Sequence, residues 1–266
     1  MKHVRHYDAQ YGQFSSDLYA AIRREAFGED IGQNSWLTAD EHDLFIDWMT
    51  PQPGSTVLDI ACGSGHTTLR IAERTGCDVH GLDVHDAAIA EAQAAAEEKG
   101  LASHASFQRH DATTPLPFED NYFDALICID AINHLPNRQA VLLEWARVLK
   151  PEGILVFTDP IVVTGPLTGE EIAIRSSIGF FLFVPPGADE RFLETAGFQV
   201  TQIVDRTPNM AMSAQRRMLA RQHHEADLRR VEGDETFEGQ QRFLEVAARL
   251  AAERRLSRFA FRAVRQ

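Results

Sequence analysis

Three aspartates stand at the ends of short apolar runs, and the first is followed by a glycine loop. Gly63 and Gly65 let the backbone turn tightly and approach a ligand closely. Asp59 suits a ligand that carries an amine, Asp83 can accept hydrogen bonds from both hydroxyls of a ribose, and Asp111 can bind an exocyclic amine such as that of adenine. Three such residues in order beside one glycine loop predict a nucleoside-binding site. The sequences concerned are "VLDIACGSGHTT" (57–68), "CDVHGLDV" (77–84) and "ASFQRHDA" (105–112).

An aspartate and a histidine four residues apart follow a fourth apolar run, in "LICIDAINHLPN" (126–137). A helical turn would place His134 on the same side as Asp130, because residues four apart on a helix are neighbours. A neutral histidine accepts a proton at physiological pH, and a carboxylate fixes its tautomer. We predict that His134 is the general base or the acceptor-positioning residue and that Asp130 orients it. In the alternative interpretation Asp130 only caps the turn, and His134 packs beneath the helix that starts near Asn137.

Aromatic residues offer two further candidates. Trp36 would cover a sulfonium or an ammonium through its π face, or would instead be a hydrophobic staple for the helix at 38–49. The run "SSIGFFLFVPPG" (176–187) either packs in the core or lines the pocket, in which case it favours an aromatic or aliphatic acceptor. We predict no metal site, because no histidine has a partner at metal-ligand spacing. The histidines considered are His66, His80, His85, His223 and His224.

The elements that must position these residues alternate between strand and helix. Strand patterns cover 55–60, 77–84, 105–112, 123–130, 153–160, 197–205 and 257–264. Helical patterns cover 66–74, 86–99 and 138–149, with Asp86 placed to cap the second and Gly100 to end it. This alternation predicts an α/β fold whose mainly parallel sheet is covered by helices on both faces.

Helical segments are added to this core at two places. We expect an N-terminal cap segment (1–50), a core (51–206 with 256–266) and a helical insertion (207–255) whose helices cover 208–230 and 236–255. Because the insertion is too long for a simple connection, we predict that it closes the acceptor pocket together with 15–40 and 160–187 and excludes water. The alternative is a helical layer at the sheet edge or a homodimer contact.

Length and composition restrict the class of protein. The chain has 266 residues, a formal net charge of −13, and three unclustered cysteines. The charge repels phosphate backbones, so we expect no nucleic-acid partner. No apolar run is long enough to span a bilayer, and the first residues lack a signal-peptide core, so we expect no membrane partner and a cytoplasmic location.

Together these motifs resemble those of class I S-adenosylmethionine-dependent methyltransferases. The similarity covers about residues 55–160 and includes "HDATTPLPFEDNYFDALICIDAINHL" and "LLEWARVLKPEGILVFTD". It implies a Rossmann-like, seven-stranded sheet and S-adenosylmethionine as cofactor. By resemblance, Asp59 and the Ala61–Gly65 loop hold the methionine part, and Asp83 binds the ribose. Val84 then packs on the adenine, Asp111 and Ala112 meet its edge, and Ile129–Asp130 line the methyl-transfer side. The family often has glycine in place of Ala61.

The acceptor is less clearly indicated. The segment 25–41 and the spacing of Asp130 and His134 resemble phosphoethanolamine and sarcosine/dimethylglycine N-methyltransferases, in which a tyrosine closes the site; here Tyr11 and Tyr19 are the candidates. No basic cluster for a phosphate group is visible. We therefore expect methyl transfer to a nitrogen or oxygen of a small molecule, with nitrogen favoured. The alternatives are an O-methyltransferase of a phenol, sugar or polyketide and a non-catalytic nucleoside-binding module. A nicotinamide-dependent oxidoreductase is disfavoured by Asp59 and by Thr68, which stands where its third glycine would be.

Overall fold

A seven-stranded sheet forms the centre of the computed structural model, which describes residues 11–266. The strand order is β3-β2-β1-β4-β5-β7-β6. The first five strands pair in parallel, and β7 runs antiparallel to both of its neighbours. The predicted α/β fold with a mostly parallel sheet is therefore confirmed. The strands are β1 (Thr56–Ile60), β2 (Asp78–Asp83), β3 (Ala105–Arg109), β4 (Phe123–Cys128), β5 (Leu149–Val163), β6 (Phe198–Asp205) and β7 (Leu256–Arg265).

The described residues also form ten α-helices, and three of them alternate with the first strands as expected. The helices are α1 (Asp17–Phe27), α2 (Ala39–Met49), α3 (His66–Thr75), α4 (Asp86–Glu98), α5 (Arg138–Val148), α6 (Gly169–Arg175), α7 (Ala188–Thr195), α8 (Thr207–His223), α9 (Glu225–Glu232) and α10 (Asp234–Ala252). Asp86 is the first residue of α4 rather than its cap, which is His85. The insertion holds three helices rather than two, because the chain breaks at His224 and again at Gly233, whose φ is +83°.

Alternate residues of the central strands enter different hydrophobic clusters. Leu58, Leu126 and Leu155 belong to one cluster. Their neighbours Val57 and Val156 belong to another. Because successive side chains of a strand point to opposite faces, both faces of the sheet are buried. This explains why the strands read as continuous apolar runs rather than alternating ones.

The insertion and the N-terminal segment pack together into one helical layer. Trp36 shares a cluster with Met210 of α8 and with Phe243 of α10. Ile22 of α1 shares a cluster with Ala220 of α8. No helix of the described residues combines the length and the apolar character needed to cross a bilayer. Within this layer the Trp36 N–H donates to Asp130, which follows β4, so the layer lies next to the carboxyl end of that strand.

Candidate active site

The main pocket opens at the carboxyl ends of the parallel strands and has a volume of about 320 Å³. Ligand sites of open α/β sheets lie at this edge. The structure brings most of the predicted site residues to its wall, although Gly65 and Trp36 lie elsewhere. The predicted residues that line it are Asp59, Ala61, Gly63, Asp83, Val84, Asp111, Ala112, Ile129, Asp130 and His134.

The two loop glycines have different roles. Gly63 has a φ of +56°, and a Cβ built on it would lie 2.8 Å from the Tyr11 hydroxyl oxygen. Gly65 (φ +74°) is the N-cap of α3, and a Cβ there would lie 2.5 Å from the Cβ of Ala92 in α4. Gly65 therefore permits close packing between helices and is not among the residues that line the main pocket. Its role in cofactor binding stays a prediction.

Ala61 adopts the left-handed backbone conformation, with a φ of +60°. That conformation costs an L-residue with a Cβ about 1–2 kcal/mol relative to the right-handed region, whereas glycine adopts it freely. The family often has glycine at this position, so Ala61 introduces backbone strain at the pocket wall.

Asp59 is a buried carboxylate whose hydrogen-bond partner is a hydroxyl group. Thr68 Oγ1 donates to Asp59 Oδ2 at 2.5 Å. Burial, opposed by the Thr68 hydrogen bond and aided by the nearby charge of Asp83, raises the pKa of Asp59 to about 7. An ammonium group entering the pocket would supply the counter-charge that this carboxylate takes from no described side chain. The sequence gives no signal of this contact, because Thr68 follows Asp59 by nine residues and lies in the next helix.

Asp83 already accepts three hydrogen bonds from the protein. Its Oδ2 accepts from the Gly63 N–H at 2.9 Å. Its Oδ1 accepts from the His85 N–H at 3.0 Å and lies 2.7 Å from His85 Nδ1. Because a carboxylate has about four acceptor sites, one site remains for a ribose hydroxyl. The remaining predicted strand-end acid, Asp111, is exposed at the pocket edge, where its Oδ1 accepts from Thr113.

Asp130 does not orient His134, and this part of the prediction is wrong. One of its oxygens accepts from Arg258 Nε at 2.6 Å and from Thr158 Oγ1 at 2.7 Å. The other accepts from the Trp36 N–H at 2.9 Å. Arg258 also donates to both oxygens of Glu41, at 2.7 and 2.8 Å. Asp130 therefore fixes the end of β4 to β7 and to the N-terminal segment.

His134 lies at the end of a short 3₁₀ turn (Ile132–His134) and is oriented by a backbone carbonyl. Its Nδ1 is 2.8 Å from the Phe180 carbonyl oxygen. Because a carbonyl only accepts, we assign the proton of the neutral ring to Nδ1, which makes Nε2 the basic nitrogen. Burial lowers the pKa of His134 below 6.5, although the hydrogen bond to Phe180 opposes this shift. The ring is therefore neutral at pH 7, as a general base requires.

The structure distinguishes the two candidate tyrosines. Tyr11 is buried, lines the main pocket, and lies with its ring centroid 5.8 Å from that of His85. The Tyr19 hydroxyl instead donates to Glu232 at 2.9 Å, between α1 and α9. Tyr11 is thus the tyrosine that adjoins the glycine loop.

A second cavity of about 60 Å³ adjoins the main pocket and shares Asp130 and His134 with it. Trp36 lines this cavity rather than the cofactor pocket, and its ring stacks on Phe243 at 6.4 Å and 12°. All four segments predicted to form a cap contribute to its wall. The residues concerned are Asn34, Ser35 and Trp36 from 15–40; Pro160, Arg175, Ile178 and Phe181 from 160–187; Arg217 from α8; and Gln240, Phe243 and Leu244 from α10, with Asn133 completing the wall.

The phenylalanine run divides between pocket and core. Phe180 lines the main pocket and Phe181 lines the second cavity. Phe183 packs with Val246 and Leu250 in a hydrophobic cluster. Both interpretations of this run therefore apply, each to different residues.

One group of histidines and carboxylates among residues 11–266 has ligand atoms close enough to hold a metal ion: Glu25, His223 and His224. His223 Nδ1 and His224 Nε2 lie 3.0 and 2.8 Å from the Glu25 carboxylate. The expectation that these two histidines have no such partner is therefore wrong. The cluster is on the surface between α1 and α8, and both of its histidine contacts are explained by hydrogen bonds to Glu25.

Comparison with known sequences shows similarity to methyltransferases. A "Methyltransferase domain" family model matches residues 51–175. (+)-O-methylkolavelool synthase of Herpetosiphon aurantiacus is 32% identical over 199 residues, which are 71% of this chain and 68% of that protein. Sterol 24-C-methyltransferase ERG6B of Gibberella zeae is 35% identical over 152 residues, 54% of this chain and 39% of that protein. The chain thus spans well under half the length of the sterol enzyme.

Solved structures show the same fold. The cyclopropane synthase MmaA2 from Mycobacterium tuberculosis superposes with a TM-score of 0.83 at 21% identity, covering 99% of this chain and 98% of that chain. The Haemonchus contortus phosphoethanolamine N-methyltransferase 2, in complex with phosphomonomethylethanolamine and S-adenosylhomocysteine, has a TM-score of 0.80 at 19% identity. That match covers 97% of this chain and 60% of the other.

Proposed function

This chain belongs to the S-adenosylmethionine-dependent methyltransferases, and we propose that it transfers a methyl group to a nitrogen or oxygen of a small molecule. The observation that carries this proposal is the order of groups along the main pocket. Asp59 lies in β1, Asp83 ends β2 and Asp111 follows β3, and these three strands are neighbours in that order in the sheet. All three aspartates and Gly63 line the main pocket. An amino acid, a ribose and an adenine require these groups in this order.

The residues present fit S-adenosylmethionine. Asp59 is buried without a cationic partner among the described residues, so its carboxylate suits the ammonium of the methionine part. Asp83 keeps an acceptor site for the ribose, and the absent side chain of Gly63 leaves room for close approach. Val84 and Ala112 supply apolar contacts for a flat ring. When bound, the cofactor supplies an activated methyl group on a sulfonium.

The chain's own contribution to transfer is alignment, proton removal and exclusion of water. The second cavity shares Asp130 and His134 with the main pocket, so an acceptor held there lies next to the methyl-transfer side. Alignment of donor and nucleophile supplies much of the rate of an in-line displacement. His134 Nε2 removes the proton of the attacking hydroxyl or amine, and the Phe180 carbonyl holds the ring in position. The four cap segments around the cavity exclude water.

Nitrogen and oxygen acceptors each have support. Similarity in fold to the phosphoethanolamine N-methyltransferase favours a nitrogen acceptor. The four-residue spacing of Asp130 and His134, which resembles that family, favours nitrogen as well. Similarity to (+)-O-methylkolavelool synthase, whose name describes an O-methyl product, favours an oxygen acceptor. That alignment covers more than two thirds of both chains. A hydroxyl needs a base more than a neutral amine does, so the neutral His134 serves an oxygen acceptor at least as well.

The test is turnover of S-adenosylmethionine carrying a ¹³C-labelled methyl group with a panel of amines, phenols, alcohols and acids. We expect S-adenosylhomocysteine to form in the presence of one acceptor class, and the ¹³C shift of the product separates N-methyl from O-methyl. Binding of NAD in preference to S-adenosylhomocysteine, together with absence of turnover, would contradict the proposal. Cytoplasmic location and a homodimer stay predictions, tested by cell fractionation and by sedimentation.

A further inference from the structure

We propose that Glu25, His223 and His224 form a binding site for Zn²⁺ that ties α1 to the junction of α8 and α9. None of these residues lines the main pocket or the second cavity, so the site is separate from the one proposed for methyl transfer. Four features of the cluster support it: the chemistry of the ligands, the distances between them, the backbone that presents them and the lack of a competing cation.

The three side chains are ligand types that zinc prefers. Zn²⁺ is bound by imidazole nitrogens and carboxylate oxygens, whereas Mg²⁺ and Ca²⁺ take oxygen ligands. Two imidazoles and one carboxylate therefore favour zinc over magnesium and calcium. The His223 side chain is 73% exposed, so water can supply the remaining coordination position.

The ligand atoms are already close to the separations that a zinc ion requires. His223 Nδ1 lies 3.0 Å from Glu25 Oε2, and His224 Nε2 lies 2.8 Å from Glu25 Oε1. The ligand atoms of all three residues lie within 4.8 Å of one another. Bonds of about 2.0–2.2 Å to a tetrahedral zinc place its ligands roughly 3.3–3.5 Å apart. Small side-chain rotations thus convert the two hydrogen bonds into metal bonds, because a neutral imidazole can carry its proton on the other ring nitrogen.

The backbone holds the three residues in register. His224 joins two helices, since its N–H donates to the Ala220 carbonyl at 3.2 Å and its carbonyl accepts from the Leu228 N–H at 3.0 Å. Ala26, which follows Glu25 in α1, is buried in one hydrophobic cluster with Ala220 and Leu228. Because these contacts fix α1 against α8 and α9, the backbone of the ligands does not have to become ordered when an ion binds.

No cation among residues 11–266 competes with a metal ion for Glu25. Its carboxylate lies within salt-bridge distance of the two histidines and of no described arginine or lysine. Glu225, which directly follows His224, differs in this respect, because Arg229 Nε donates to it at 2.7 Å. The negative charge of Glu25 is therefore available to an ion, whereas that of Glu225 is already paired.

Calorimetry on the full chain, treated with EDTA and then dialysed, tests the site with ZnCl₂, MgCl₂ and CaCl₂. We expect Zn²⁺ to bind with a micromolar Kd and Mg²⁺ and Ca²⁺ to bind at least a hundredfold more weakly. Glu25→Gln removes the charged ligand, and His223→Ala removes one imidazole at an exposed position. Zinc affinity should fall at least tenfold in each variant, with circular dichroism showing that both are folded.

His104→Ala is the matched control. His104 is also an exposed histidine beside a carboxylate, with its Nδ1 2.9 Å from Asp78, but this pair belongs to no group of three potential ligands among residues 11–266. We expect this variant to keep the zinc affinity of the unmodified protein. An ion that joins two helices binds the folded chain and not the unfolded one. Zinc should therefore raise the midpoint of urea unfolding in the unmodified protein and in His104→Ala, but not in Glu25→Gln or His223→Ala.

Two results would overturn the inference at the binding step. They are zinc affinity that survives both Glu25→Gln and His223→Ala, and binding of Mg²⁺ or Ca²⁺ as tight as that of Zn²⁺. Zinc binding that both substitutions abolish but that leaves the urea midpoint of the unmodified protein unchanged would show an adventitious ion only. That result would overturn the tie between α1 and the junction of α8 and α9.

Discussion

The pKa of Asp59 predicts that cofactor affinity depends on pH in a specific way. Burial raises this pKa to about 7, so the carboxyl group is half protonated near neutral pH in the ligand-free protein. An ammonium group binds the ionised carboxylate, so binding below pH 7 must first release the proton. Affinity is therefore highest at neutral pH and falls as the pH is lowered.

The magnitude follows from the titration of Asp59. With its pKa at about 7, the ionised fraction of Asp59 falls about fivefold from pH 7 to pH 6. It falls about tenfold again from pH 6 to pH 5. At pH 6 about 0.9 proton is released to the buffer for each ligand bound, because that fraction of Asp59 is protonated beforehand.

Calorimetric titration with S-adenosylhomocysteine at pH 5, 6, 7 and 8, in buffers of different ionisation enthalpy, measures both quantities. Asp59→Asn cannot ionise, so it should bind weakly at every pH and show no proton release from this position. Thr68→Val removes the hydrogen bond that lowers the pKa, so the midpoint should move to higher pH. Affinity that does not change between pH 5 and 7, or the same pH dependence in Asp59→Asn, would refute the reasoning.

Four other predictions concern three residues around the main pocket. Asp83→Ala removes acceptors for the ribose and should weaken S-adenosylhomocysteine binding by about 1.5–3 kcal/mol, or roughly 10–150-fold; unchanged affinity by calorimetry would show that the ribose binds elsewhere. His134→Ala should lower kcat by about 10²–10⁴-fold and leave cofactor affinity nearly unchanged; normal turnover would restrict His134 to a structural role. The kcat of the unmodified protein should be flat above pH 7 and fall only below 6.5, because the pKa of His134 is lowered. Ala61→Gly removes about 1–2 kcal/mol of backbone strain and costs about 0.5–1 kcal/mol through the greater entropy of the unfolded chain. The free energy of unfolding measured in urea should therefore rise slightly. A fall of more than about 1 kcal/mol would show that the Ala61 methyl group packs favourably.

The sheet and the gathering of strand-end residues could be predicted because both follow from local patterns. Short apolar runs alternating with helical periodicity leave few topologies open. The carboxyl ends of parallel strands meet at one edge, so Asp59, Asp83 and Asp111 had to lie near each other once the strands were assigned. Asp59, Asp83 and Asp111 are 24 and 28 residues apart in the sequence, so the strand assignment alone was enough to bring these three side chains to one edge of the sheet.

The roles of Asp130 and Trp36 could not be predicted, because their partners are remote in the sequence. Asp130 and His134 are four residues apart, but Asp130 pairs with Arg258, 128 residues later, and the 3₁₀ turn separates it from the histidine. Trp36 depends on Phe243 in α10. Nothing in the sequence indicates that Arg258 of β7 contacts Asp130, or that Phe243 of α10 contacts Trp36.

A crystal structure with bound S-adenosylhomocysteine tests the central claim most directly. We predict that the amino-acid end lies at Asp59, the ribose at Asp83 and the adenine between Val84 and Ala112. The sulfur should then face the second cavity, next to His134. A ligand bound in the reverse direction, with its sulfur turned away from the second cavity, or bound outside the main pocket, would contradict the account.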